Sequence, residues 1–83
     1  MDLIVEFNES AFRHNISRED ILHAIKTNIY TEAVEVLPVK YISIGFDRAG
    51  NPLEIMYNPV YDNTITVFHA MKARKGIIAS LGL

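Results

Sequence analysis

The chain contains no cysteine, so neither a disulfide framework nor a thiolate metal site can form. Its three histidines, His14, His23 and His69, stand at wide and irregular spacing, which argues against a metal centre of any kind. No apolar run approaches the ~20 residues of a membrane span. Met1-Asp2-Leu3-Ile4-Val5-Glu6 lacks a basic n-region and carries two acids, which speaks against a signal peptide. There is no glycine-rich phosphate loop, no paired-carboxylate motif, no repeat and no low-complexity tract or linker. These absences leave a single domain, residues 1–83, near the lower limit for a self-sufficient core. A composition of 49% hydrophobic and 22% charged residues is ordinary globular material. A small chain without staples or metal is expected in the cytoplasm, with no cofactor and with stability that leans on a partner.

One further scarcity is local. From residue 63 onward there is no carboxylate, only Lys72, Arg74 and Lys75, a charge of +3. Residues 1–62 set Arg13, Arg18, Lys26, Lys40 and Arg48 against all ten acids, a charge of −5, and the two parts sum to the overall −2. The segment His69-Ala70-Met71-Lys72-Ala73-Arg74-Lys75 therefore places a histidine and three cations at the end of a strand-like run. Fixed positive charge of that kind suits a phosphate-rich ligand such as RNA.

The patterning predicts an α+β fold in the order α-α-β-β-β-β with a short C-terminal helix or tail. Asn8 with Glu9 reads as a helix start, Phe7 as a staple to Phe12, and Asn15 as a left-handed stop after His14. Ser17 caps a second helix, Arg18 to about Thr27, with Asp20 at the reciprocal position and an apolar stripe of Ile21, Leu22 and Ile25. Strands follow at 33–37 and 40–46, around Leu53, Ile55 and Tyr57, and at 64–70. The turn Asp47-Arg48-Ala49-Gly50-Asn51-Pro52 and a loop at 58–63 connect them. Together they predict two short helices against a four-stranded antiparallel meander. A terminal helix from Met71 to about Leu81 is weakened by Gly76 and the pair Ile77-Ile78. The apolar tail Ile77 to Leu83 is expected to pack on the sheet, on a second copy or on another protein.

Residues 7–21, Phe-Asn-Glu-Ser-Ala-Phe-Arg-His-Asn-Ile-Ser-Arg-Glu-Asp-Ile, resemble the opening of BrnT-type toxins, in which a short helix, a His-Gly-Val-Ser-like turn and a second helix recur. Tyr41 to Asp47, the Gly50-Asn51 turn with Leu53 to Met56, and the ending His69-Ala70-Met71-Lys72-Ala73-Arg74 resemble the sheet and basic terminus of the same group. Asn15 replaces the turn glycine, and the terminus carries fewer arginines than is usual there. The resemblance implies a RelE/BrnT-like fold and a toxin of a type II toxin–antitoxin pair. It further implies a metal-independent endoribonuclease that acts on RNA and is neutralised by a cognate DNA-binding antitoxin. The alternative is a non-enzymatic binding module that assembles with a DNA-binding partner.

Metal-free RNA cleavage uses the 2′-hydroxyl as nucleophile, so the protein must move protons and stabilise a charged phosphorane. His69 suits the proton transfer and Arg74 the phosphate oxygens, with Lys72 as a further cationic catalyst. Lys75 and the loop residue Tyr61 are the RNA-binding candidates, one for phosphate and one for stacking. Each has a plainer reading. His69 shares parity with Ile65 and Val67 and could bond a backbone carbonyl on the sheet. Arg74 could be a solvated cation or part of a salt bridge to a partner, and Lys72 and Lys75 could simply keep the tail soluble. As a functional residue Arg74, polar and terminal, is expected to be removable with loss of activity and little loss of stability. His14 reads as a cation at a helix C-terminus, His23 as a boundary residue, and Glu54 as a solvated sheet-face carboxylate, with a general base as its alternative if it faces the His69 end.

Overall fold

The computed structural model describes residues 2–82; Met1 and Leu83, the outer residues of the stretch argued against a signal peptide and of the apolar tail, lie outside them. The elements in chain order are strand β1 (Ile4–Phe7), a 3-10 turn (Glu9–Phe12), helix α1 (Arg18–Lys26), strands β2 (Tyr30–Val36), β3 (Val39–Phe46), β4 (Pro52–Tyr61) and β5 (Thr64–Lys72), and helix α2 (Lys75–Ser80). Among the described residues no helix is long and apolar enough to cross a membrane.

β2 to β5 form the expected antiparallel run, but the sheet has a fifth strand and is mixed. Its order is β1-β5-β4-β3-β2, and β1 lies parallel to β5 with Ile4 opposite Thr64 and Phe7 opposite Val67. The four-stranded antiparallel meander under two N-terminal helices, and the RelE/BrnT-like arrangement attached to it, are thereby corrected. Leu3, Val5 and Phe7 alternate with Ile4 and Glu6, and Val5 and Phe7 pack on the core while Ile4 and Glu6 stay exposed. That is half-buried strand periodicity in too short a run to stand out beside the helix signals that follow it.

The first helix shrinks to one 3-10 turn. Its entry is as read: Asn8 accepts from the Ser10 N–H at 3.2 Å, and Phe7 stacks on Phe12 with centroids 5.4 Å apart. Asn15, at φ 61°, stops it one residue after His14. Too few residues lie between start and stop for an α-helix to pass its costly first turn. In α1 the Ser17 hydroxyl accepts from the Asp20 N–H at 3.1 Å, and Asp20 reaches on to the Arg48 N–H and Nε at 3.0 and 2.9 Å. Its core side is Ile21 and Ala24, both fully buried. Ala24 lies so close to the sheet that a Cβ on Gly45 would stand 1.8 Å from the Ala24 carbonyl oxygen. Glycine is required there by contact and not by backbone conformation.

β4 runs through Pro59 to Tyr61, where a loop was expected, leaving only Asp62-Asn63 as the turn. Beyond Tyr57 it pairs with β5 alone. A proline is tolerated there because the ladder on the β3 side has already ended. β5 in turn continues through Met71 and Lys72, so the terminal helix begins only at Lys75.

Register assigns the two sheet faces, since residues directly opposite in antiparallel strands share a face. Gly45, Leu53, Ile55, Tyr57, Val67 and Ala70 lie on the side covered by α1 and the 3-10 turn. Ile42, Ile44, Glu54, Met56, His69 and Met71 lie on the other. The register slips between Met56 and Tyr57, which face His69 and Val67 respectively, so Phe68 is the extra residue of a bulge.

Candidate active site

The bulge decides where the histidine points. Strict alternation would keep His69 on the face of Ile65 and Val67; the extra residue Phe68 turns it to the face of Glu54. The bulge is itself tied down, because the Ser10 hydroxyl donates to the Phe68 carbonyl at 2.6 Å.

Glu54 stands between Leu53 and Ile55 on a central strand, and its side chain has no solvent exposure. A carboxylate so placed must find donors for both oxygens. Oε1 accepts from the Arg74 backbone N–H at 3.2 Å and from Arg74 Nε at 3.0 Å. Oε2 accepts from Arg74 Nη2 at 3.0 Å and from His69 Nε2 at 3.1 Å. Burial alone would raise the Glu54 carboxyl, but the donors of Arg74, and then His69, more than offset it and hold it below the usual carboxylate range. The same hydrogen bonds, with the carboxylate charge, push the Arg74 guanidinium upward.

Arg74 is held by only part of its fork. Its side chain is 63% exposed, and Nη1 makes no hydrogen bond among the described residues. The rest of the guanidinium is therefore free to meet a phosphate. The expectation that Arg74 is structurally dispensable does not hold, since three of the four hydrogen bonds to a buried carboxylate come from it.

His69 is 24% exposed. A carboxylate can only accept, so Nε2 carries the proton, and in the neutral ring Nδ1 keeps its lone pair. A second imidazole adjoins it: His14, exposed in the link after the 3-10 turn, meets His69 edge-on with centroids 5.6 Å apart and planes at 74°. His14 thus sits at the site and not at the end of an α-helix. His23 is the boundary residue expected, donating from Nδ1 to the Phe46 carbonyl at 2.8 Å.

The other candidates are dispersed. Lys72 pairs with Leu53, which places it on the opposite face from Glu54 and His69, at the strand end. Lys75 is exposed beside Arg74 as the first residue of α2. Tyr61 is 75% exposed but pairs with Thr64 at the far end of β5, roughly 16 Å from His69 at ~3.3 Å per residue. The structure therefore brings His69, Arg74, Glu54 and His14 together, with Lys75 at the margin, and leaves Lys72 and Tyr61 outside.

Compared with protein-family models, curated proteins and solved structures, the chain matches none. Function must then be argued from the cluster itself. A guanidinium with one open edge and an imidazole with one open nitrogen, both fixed by a buried carboxylate, can bind a phosphodiester and take a proton beside it. The Glu54 contact also sets the imidazole's tautomer. His14 was read chiefly as a helix-end cation, and Glu54 chiefly as a solvated carboxylate with a general base facing the His69 end as the alternative. Glu54 does face His69, but as a buried ion-pair partner. Nothing in the sequence marks the bulge that brings His69 to it.

Proposed function

We propose that the chain is the toxin of a type II toxin–antitoxin pair, a metal-independent endoribonuclease of BrnT type whose cognate DNA-binding antitoxin keeps it inactive in the cytoplasm. The observation that carries the reading is the shared buried carboxylate: Glu54 holds Arg74 and His69 side by side, each with a free donor or acceptor facing outward. Arg74 supports charge on the phosphorane, His69 moves a proton, and Lys75 adds to affinity for the backbone. The resemblance at residues 7–21 and 69–74 supplies the toxin role. The half-buried side chains Ile77, Ile78 and Leu81 of the C-terminal segment are the proposed contact for the antitoxin or a second copy.

One observation favours the alternative of a non-enzymatic binding module of this fold. All four acceptor positions of Glu54 are filled, as in an ion pair that only holds β4 to the α2 entrance. Growth of a host expressing the chain alone separates the two. The toxin reading expects arrest, RNA cleavage by the purified protein in the presence of chelator, and rescue by the antitoxin. Arg74→Lys retains a cation for Glu54 but loses the fork, and should lower cleavage by about 10² or more. Harmless expression at high level, with no cleavage, would favour the binding module.

A further inference from the structure

Resting on that ribonuclease reading, we infer that His14 is a second catalytic residue, the general acid that protonates the leaving oxygen, with His69 as the general base. Three observations support the assignment. The Glu54–His69 contact fixes the His69 proton on Nε2 and leaves Nδ1 as an acceptor, so His69 begins as the base. The His14 ring lies 5.6 Å from that of His69 and meets it edge-on, with 74° between the planes, so two imidazoles stand at one centre. A displacement at phosphorus needs two such groups, because the attacking and leaving oxygens occupy opposite apices of the phosphorane. Finally, the His14 link is anchored, by Asn15 in the left-handed conformation and by the Ser10 hydroxyl on the Phe68 carbonyl, so the second imidazole has a defined place.

The step balances without a co-reactant. The 2′-oxygen forms a bond to phosphorus as its proton passes to His69 Nδ1, while the bond from phosphorus to the 5′-oxygen breaks and that oxygen takes a proton from His14. The products are a 2′,3′-cyclic phosphate and a 5′-hydroxyl, with His69 charged and His14 neutral. Glu54 from β4 faces the new cation, and Arg74, from the segment before α2, faces the phosphate. Those two and His14 are the charged or titratable groups in contact with this centre among the described residues.

The test uses the full-length protein and two labelled oligoribonucleotides, one ordinary and one with sulfur replacing the bridging 5′-oxygen at the cleaved position. A thiolate leaves without protonation, so the acid becomes dispensable for the second substrate alone. With wild-type protein the pH–rate profile on the oxygen substrate should be bell-shaped, and the sulfur substrate should lack the alkaline limb. His14→Gln should lose about 10² to 10⁴ in rate on oxygen and recover most of it on sulfur, while His69→Gln should be impaired on both. An alkaline limb retained on sulfur, equal loss of His14→Gln on both substrates, or a His14→Gln protein as fast as wild type would overturn the role of His14 and leave the ribonuclease standing. A wild-type protein that cleaves neither substrate would instead remove the ribonuclease reading, and this inference with it. The wild-type comparison needs no variant and so stands even where a variant fails to fold.

Discussion

At the scale of single residues, Glu54 holds the site together, a buried carboxylate whose desolvation its donors offset. Its carboxylate is stable where it is only while three Arg74 donors and one His69 donor meet it. Glu54→Gln keeps the shape but turns an amide NH₂ toward donors, and should cost about 2–4 kcal/mol in denaturant unfolding. The pH dependence follows from the direction of the shift. The folded-state carboxyl lies below its ordinary value, so its contribution is complete above about pH 4.3, the unfolded carboxylate's range, and is lost as pH falls through the lower folded value. Asp20, held down to about 2, chiefly by the Arg48 side-chain hydrogen bond, acts in the same sense between about pH 3.9 and 2. From these two carboxylates the thermal midpoint should decline between about pH 5 and pH 2, and the decline should be shallower in Glu54→Gln. An equal slope in the two proteins would mean that Glu54 is not charged in the native state. His69 and Arg74 were legible as chemistry, from the residue types at the end of a cationic strand. Glu54 was legible only as a base that could face His69; its ion pair with Arg74 was not, because a contact between β4 and the α2 entrance depends on register that no local pattern encodes.

At the scale of elements, local signals predicted local structure and failed where a distant partner decided. Ser17 and Asp20 marked the start of α1, and Asp47 to Asn51 marked the β3–β4 turn, with Asp47 accepting from the Ala49 and Asn51 N–H groups and Gly50 at φ 87°. β1 was invisible as a strand because its only partner is β5, remote in sequence, and β4 overran its expected end because β5 continued to pair with it. The helix-to-sheet contact offers the sharpest check. Gly45→Ala forces a methyl into the Ala24 carbonyl, a backbone atom that cannot step aside. We expect a loss of at least about 3 kcal/mol, read from the denaturant midpoint, since overpacking against a rigid neighbour costs that much or more. A near-neutral result would show that α1 can lift from the sheet. By contrast α2 buries no side chain fully. Deleting residues 77–83 should leave the thermal midpoint within a few degrees of wild type and weaken self-association or antitoxin binding in gel filtration. Unfolding of the shortened chain would assign those residues to the core instead.

At the scale of the whole molecule, most of the exposed large apolar side chains gather away from the site, Phe12, Leu22 and Ile29 excepted. Leu3 and Ile4 open β1, Val34, Val36 and Leu37 lie toward the tip of the β2–β3 hairpin, and Val60 and Tyr61 lead into the β4–β5 turn, all at the end of the sheet where β5 begins. His69 and Arg74 sit toward the other end. The parallel pairing of β1 has a consequence for the route by which the protein forms. Neighbouring strands β2 to β5 can zip as successive hairpins, whereas Ile4 must find Thr64 across nearly the whole chain, the kind of non-local closure that slows folding. β1 also carries the link that holds His14 beside His69. The meander should accordingly form first and the paired histidines last, so that in refolding from denaturant the contact between His14 and His69 is completed only after the sheet, when the first strand docks.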